Sequence, residues 1–529
     1  MKKTLISLLL ALAMVVSLFA GVAGAEEGVE YPAEISIFTG IEDHTSKLGI
    51  TSYNDMPFWQ EIEKRTGTHV DFIHPAAGAD KMAQINLMVA SHDLPDIIHG
   101  IDWRNVSGGA QMWEDDGVII DLTEMMPEHM PAYWNRINQY DLAIPSLSID
   151  GKLYYVNVIQ HGVMFQGPIM RMDWLAASGY DEPVTLDDLY DILVYFRDHD
   201  MNGNGDPSDE WPMSALSGTN LGWSPLNLMW PYGIHWGFMV NDEGQVTHGM
   251  LTDEFTDAIT FIHKLYEEGL LDPDYATMDR TALDGKFMND QVGFEWGIQP
   301  TKMNNTLNHD AEKGKFEASG IKILKQTADS PAWSFDKNYV SVFTGGMAVV
   351  TTKSKEPEKI LHWMDYFFTD DGITLANWGI EGLTFEYDEN GKPYLDYTGA
   401  AKVYPDVNEG ELKYLYALSG TAGFVYGCDS DMFKASLHPF SAEGAERWVA
   451  EFDVSRMLPD ISLTAEEQED INDTLVDLTT YINIQLDKLV NGQTPLEEIP
   501  AIQQKLHDMG IDHVLEVYQA AYERFMSVA

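Results

Sequence analysis

Cysteine is nearly absent: Cys428 is the only one in 529 residues. An intramolecular disulfide is therefore excluded, and a thioether lipid anchor at a processed N-terminus near Glu26 has no thiol to use. Basic residues are scarce as well, with 32 Lys and Arg against 84 Asp and Glu and a net charge of −52. A field of that sign repels nucleic acid and anionic membrane surfaces, and it disfavours polyanionic substrates unless a locally basic pocket overrides it. Beyond the first twenty residues no uninterrupted apolar run approaches the length needed to cross a bilayer, so the mature chain is expected to lack a transmembrane segment. Catalytic signatures are missing too: there is no HExxH, no G-x-S-x-G, no P-loop and no G-x-G-x-x-G after a strand. The 16 histidines are scattered without zinc spacing, and among so many acids any chosen glycosidase-like carboxylate pair carries no information. The chain is accordingly read as a non-enzyme.

What is present is a folded protein. An apolar fraction of 45% with 11% aromatics is far from a disordered acidic tail, and the length calls for at least two lobes, each with its own core. At the start, Lys2 and Lys3 precede an apolar run from Leu5 to Ala20, and Ala23-Gly24-Ala25 supplies the small-x-small pattern read before cleavage. Residues 1–25 are thus expected to be a cleavable signal peptide. The mature protein is expected in the periplasm or outside the cell, as a monomer.

The first part of the mature chain alternates strand and helix patterns. EISIFTG (Glu34 to Gly40) has the period of a strand, FWQEIEKRTG of a helix stopped at Gly67, and Thr68 to Ile73 of a second strand. A helix from Lys81 to Ala90 then leads to a short buried strand at Asp96 to Ile98, which together predict a parallel α/β layer. In such layers ligands sit beyond the carboxyl ends of the strands. DGKLYYVN predicts a hairpin at Asp150-Gly151, Leu251 to Asp274 an amphipathic helix, and Gly345 to Thr352 a strand. The last hundred residues read as almost wholly helical, with a capping box at Thr464 and Glu467.

The stretch DHDMNGNGDPSDEWP crowds like charges into one loop. Asp200, Asn202 and Asn204 fall at the first, third and fifth places of an EF-type calcium loop, with Gly205 at the sixth and Asp206 able to offer its carbonyl from the seventh. Asp209 and Glu210 come earlier than the usual closing carboxylate at the twelfth place. The competing reading is a solvated Asn-Gly turn ending a helix.

The 14 tryptophans are numerous, and Trp103, Trp223, Trp230, Trp236, Trp296, Trp333 and Trp378 lie in stretches rich in Gly, Ser or Asn. An indole there suits stacking on the apolar face of a sugar ring, although any single one could equally be packed in a core.

Taken together, FWQEIEKRTGTHVDF, DLPDII, DGKLYYV, RMDWLAASGYDEPVTLDDLYDILVYFRDHDMNGNGDPSDEWPMS, KLYEEGLLDPDY, NWGIEGLTFEYDENGKP and MGIDHVLEVYQAAYERF resemble family 1 extracellular solute-binding proteins of carbohydrate ABC transporters, related to alginate-oligosaccharide-binding proteins. The resemblance implies a two-lobed periplasmic-binding-protein-like α/β fold with a hinge and a helical C-terminal extension. One lobe would take residues 31–160 and about 352–425, the other about 161–351 and 426–529. It further implies an oligosaccharide held by hinge closure and handed to permease subunits, and a structural calcium ion on Asp200, Asn202, Asn204, Asp206, Asp209 and Glu210. On that reading Trp103, Trp236, Trp296 and Trp378 are the stacking candidates, with Asp102, Arg171 and Glu381 as hydroxyl partners; Arg171 has a second reading as an ion pair with Asp173. The alternatives are a secreted glycan-active enzyme and a receptor for a peptide or other solute on the same scaffold.

Overall fold

The computed structural model describes residues 30–527 apart from 77–78, 104–105, 107–108, 161–165, 219–221, 299–316, 337–342 and 419–422. The expected signal peptide lies outside the described residues. Along the chain run strands β1 (Glu34–Phe38), β2 (His69–Ile73), β3 (Ile97–Ile101), β4 (Val156–Ile159), β5 (Gln166–Arg171), β6 (Trp211–Met213), β7 (Val292–Ile298), β8 (Ala318–Gly320) and β9 (Phe343–Val350). The helices used below are α1 (Pro57–Thr66), α2 (Lys81–Ser91), α3 (Leu186–Asp198), α4 (Phe255–Glu267), α5 (Asp370–Trp378), α6 (Pro439–Trp448), α7 (Ala465–Val490) and α8 (Ile511–Ser527).

The chain divides into two compact units. Among the described residues, the first comprises those up to Asp141, Leu147–Ile159 and Phe343–Met432; the second comprises those in Leu142–Ser146, between Gln160 and Asp336, and from Phe433 on. In the first unit a five-stranded sheet has the order β2-β1-β3-β9-β4. Strands β1, β2 and β3 pair in parallel, as their alternation with α1 and α2 requires, because a parallel connection needs a crossover. Ile35, Ile37, Ile97, Ile98, Val349 and Val350 are all buried, which explains the dense β-branched usage in these short strands. Strand β9 departs from the sequence reading, which gave this stretch to the second lobe: it enters the first unit's sheet antiparallel to both β3 and β4. Opposite it, Met347 faces Ile101 and Ala348 faces His99, so Gly100 is the extra residue of a bulge, and its φ of +89° is one that glycine adopts freely.

Local signals hold where caps are strong. Gly67 ends α1 in the left-handed conformation, and Asp80 caps α2 by accepting from the Met82 and Ala83 N–H groups. Asp150 (φ +51°) and Gly151 (φ +80°) make the two-residue turn of the Ser148–Ile149 and Lys152–Leu153 hairpin.

The second unit is built on a four-stranded sheet of order β8-β5-β7-β6. Helix α6 lies on it through Trp448, which is fully buried and donates its indole N–H to the Pro168 carbonyl at 3.1 Å. That close approach depends on bare backbone, since a methyl group on Gly167 would lie 2.4 Å from the indole and one on Gly320 would lie 2.8 Å from it. The helical C-terminal region begins with the capping box the sequence announces: Thr464 accepts from the Glu467 N–H while the Glu467 carboxylate accepts from the Thr464 N–H. Glu467 also receives two bonds from Arg524, which ties α7 to α8.

Candidate functional site

In the first unit, β1 and β3 end side by side, and the segments that follow carry polar groups at their carboxyl ends. Thr39, just past β1, meets the buried His99 of β3 with 3.0 Å between Oγ1 and Nδ1. The other ring nitrogen of His99 has no hydrogen-bond partner among the described residues. Burial, with Lys81 adding its positive charge, pushes the imidazole down to about 3, so it is neutral at ordinary pH. Two residues beyond β3, Trp103 is fully enclosed, edge-on to Trp113 with ring centroids 5.4 Å apart, and its indole N–H has no partner among the described residues. Asp102 beside it is half-buried.

Trp378, at the end of α5, is a different case. Its indole N–H is spent on Asp429 Oδ2 at 2.7 Å, and its ring is buried with Phe385 and Met432. Glu381, three residues on, is exposed, and its backbone bridges Phe385.

The second unit holds Arg171, Trp236 and Trp296. Arg171 is buried at the end of β5, where Nε and Nη2 donate to Asp173 at 2.8 and 2.5 Å, Nη1 pairs with Asp290, and the guanidinium lies 4.9 Å from the Trp174 ring. Of its two readings the ion pair is the one formed: these guanidinium nitrogens fasten β5 to the helix starting at Met172 and to the turn at Asp290. Trp296, on β7, packs edge-on against Trp230 at 5.0 Å and has no exposed face. Trp236 is only half-buried, lies 4.3 Å from the His235 ring, and has no partner for its indole N–H among the described residues. Of the four proposed stacking residues, then, Trp103, Trp296 and Trp378 are enclosed and Trp236 alone keeps part of its ring accessible.

The acidic loop follows α3. Both oxygens of Asp200 accept backbone N–H groups, from Gly203 at 2.8 Å and Gly205 at 2.7 Å. Asn202 and Asn204 accept from the N–H groups of Asn204 and Asp206, two residues further on in each case. Gly203 and Gly205, at φ +72° and +95°, allow the sharp wrap. At the closing end the buried Glu210 accepts from Met201 and Asn202 N–H at 2.8 and 2.6 Å, and Asn204 donates to Asp209 at 2.8 Å. Burial, reinforced by the negative charges of Asp200 and Asp209, raises the Glu210 carboxyl above its ordinary range. Among the described residues no group of three or more His, Cys, Asp and Glu side chains converges to hold a metal ion. The wrap of the loop fits an EF-type site; its closing carboxylates are instead engaged with the loop's own N–H groups.

Sequence reasoning passed over several buried polar groups. Asp272 is completely enclosed and receives Lys286 Nζ at 2.6 Å and Ser214 Oγ at 2.9 Å. Nothing in LLDPDY distinguishes it from a turn aspartate. His99 was missed likewise, and so was the exposed Lys81 whose charge reaches it, since both fall within segments read only for their period.

Set against known proteins, the chain matches the family described as "Bacterial extracellular solute-binding protein" over residues 51–374, more than half of its length. The chain belongs to that family. Among curated members of the wider group, the fructooligosaccharide ABC transporter substrate-binding protein FusA of Streptococcus pneumoniae serotype 4 is 25% identical, over 95% of this chain and 93% of FusA. The polygalacturonan/rhamnogalacturonan-binding protein YtcQ of Bacillus subtilis is 24% identical over 63% of this chain and 64% of YtcQ. Solved structures show the same two-lobed solute-binding fold. FusA of S. pneumoniae in complex with kestose superposes with a TM-score of 0.70 at 20% identity, covering 94% of this chain and 100% of that one. The alginate-binding protein AlgQ2, solved without calcium ion, gives 0.69 at 20% identity with the same coverage. Among the described residues of this solute-binding protein, no helix is long and apolar enough to cross a membrane.

Proposed function

We propose that this chain is the substrate-binding component of a carbohydrate ABC importer: it captures an oligosaccharide outside the cell, as a monomer, and hands it to permease subunits without changing it chemically. The observation that carries this reading is the likeness along 95% of the chain to FusA, a protein named for fructo-oligosaccharide transport. The names of YtcQ and AlgQ2 also specify saccharides. The half-exposed Trp236, with the His235 ring 4.3 Å away, is the residue here best suited to stack on a sugar face.

The reading includes a structural calcium ion in the acidic loop. Asp200, Asn202, Asn204, Asp209 and Glu210 would supply side-chain oxygens and Asp206 its carbonyl, and the ion would fix the loop, with no part in any reaction. The wrap around Gly205 supports this, as do the structures of an EF-hand mutant of FusA and of AlgQ2 without calcium ion.

Titration of the mature protein with a panel of neutral and acidic oligosaccharides, followed by intrinsic tryptophan fluorescence and calorimetry, tests the function. Saturable binding of at least one saccharide with no product formed over hours is the expected result. Sustained release of cleaved product would replace this reading with an enzyme, and a response to peptides alone would remove the sugar.

A further inference from the structure

Lys81 opens α2, and its side chain folds back over the ends of the two central parallel strands. A methyl group on Gly40 would lie 2.6 Å from Lys81 Cε and 2.8 Å from Nζ, so only a bare α-carbon after β1 leaves the ammonium its place. A methyl on Gly100, the bulge residue of β3, would be 3.9 Å from both Lys81 Nζ and Thr39 Oγ1. The end of this exposed side chain therefore lies against the bare backbone of Gly40 and near Gly100, where parallel sheets bind their ligands.

That charge is not used internally. In the same unit Lys64, Arg65, Arg136, Lys152 and Lys359 each meet a carboxylate within 3.2 Å, whereas Lys47, Lys353, Lys355, Lys392 and Lys402, like Lys81, form no ion pair among the described residues. Lys81 has no carboxylate or hydrogen-bond partner among the described residues. In a chain with 84 acidic residues an ammonium left without a carboxylate is available for a partner from outside. A second observation lies beside it: His99, next to Gly100 and 1% exposed, keeps a ring nitrogen without a hydrogen-bond partner among the described residues.

We infer that Lys81, beside Gly40 at the carboxyl ends of β1 and β3, receives a carboxylate of the ligand, so that the preferred saccharide carries an acidic sugar residue. This deepens the oligosaccharide reading and rests on it. One lysine matches one carboxylate; the overall negative field still works against a polymer charged at every ring.

The test compares an oligosaccharide bearing one uronic-acid residue with its carboxyl-reduced, neutral counterpart, by calorimetry on the mature protein. A charged hydrogen bond of this kind is expected to favour the acid by about tenfold in low salt, with the preference shrinking as salt rises. Lys81→Gln should abolish the preference, and Lys81→Arg should retain most of it. Gly40→Ala, which displaces the ammonium, should act like Lys81→Gln; thermal melts of each variant verify that it is folded. Equal affinity for the two sugars in the wild-type protein, or a preference that survives Lys81→Gln, overturns the inference and leaves the oligosaccharide reading standing. Failure of every saccharide to bind removes both.

Discussion

His248 and His99 are sealed in the interior as neutral imidazoles, His248 pushed down to about 4 and His99 to about 3 by burial, with Lys81 adding to the effect at His99. In the unfolded chain both rings titrate near the ordinary value of about 6.5. Between those values the unfolded state binds protons that the folded state refuses, so stability falls as pH falls through the ordinary imidazole value and keeps falling until the buried rings themselves protonate. Each ring costs about 1.4 kcal/mol per pH unit across that window. His248 can be replaced without leaving its neighbour exposed, because Asn would still offer an acceptor to the Met250 N–H that His248 now caps. His248→Asn should melt near the wild type at pH 7.5 and several degrees above it at pH 5. Equal melting temperatures at both pH values would mean that this ring is not buried neutral.

At the scale of elements, the acidic loop is the piece whose behaviour depends on a ligand. Burial, with a smaller contribution from repulsion by Asp200 and Asp209, raises the Glu210 carboxyl, and a divalent cation would offset that penalty. At calcium a hundredfold above its dissociation constant the folded state should gain about 2.7 kcal/mol, read as a higher melting temperature that chelator removes. Asp200→Asn combined with Glu210→Gln should abolish the calcium response. A wild-type melting temperature indifferent to chelator would leave the loop as an Asx-bonded turn. The register of this loop was legible because it is local, and so were α1, α2, the Asp150-Gly151 hairpin and the Thr464 capping box, whose signals all lie within four residues. Strand β9 was legible as a strand, but its partner sheet was not, since GGMAVV says nothing about which of two distant sheets it will join. The tryptophans show the same boundary: loop-like neighbours predicted exposed faces, whereas burial of Trp103, Trp296 and Trp378 depends on Trp113, Trp230 and Asp429, residues that meet them only in the fold.

For the molecule as a whole, charge sets the balance. Salt has two opposite effects: it weakens attraction in the ion pairs, and it weakens repulsion among the unpaired acids. Several pairs are short, such as Arg456 with Asp242 at 2.6 Å and Arg524 with Glu467 at 2.7 Å, yet most have an exposed or half-exposed partner, where such pairs contribute about 0–1 kcal/mol each. The 32 basic residues cannot neutralise 84 acidic ones, and the net charge of −52 means that most carboxylates see more like charge than unlike. Repulsion of this kind destabilises the compact state, which concentrates the charge, more than the expanded one. Screening should therefore stabilise the protein. Raising sodium chloride from about 0.01 to 0.15 M shortens the screening length from about 30 to about 8 Å, and the melting temperature in chelator is expected to rise over that interval and then level off. Chelator matters, because a bound divalent cation would itself weaken with salt and mask the trend. A melting temperature that falls with salt would show that the few ion pairs outweigh the diffuse repulsion, and that the acids are arranged in the fold far less uniformly than their number suggests.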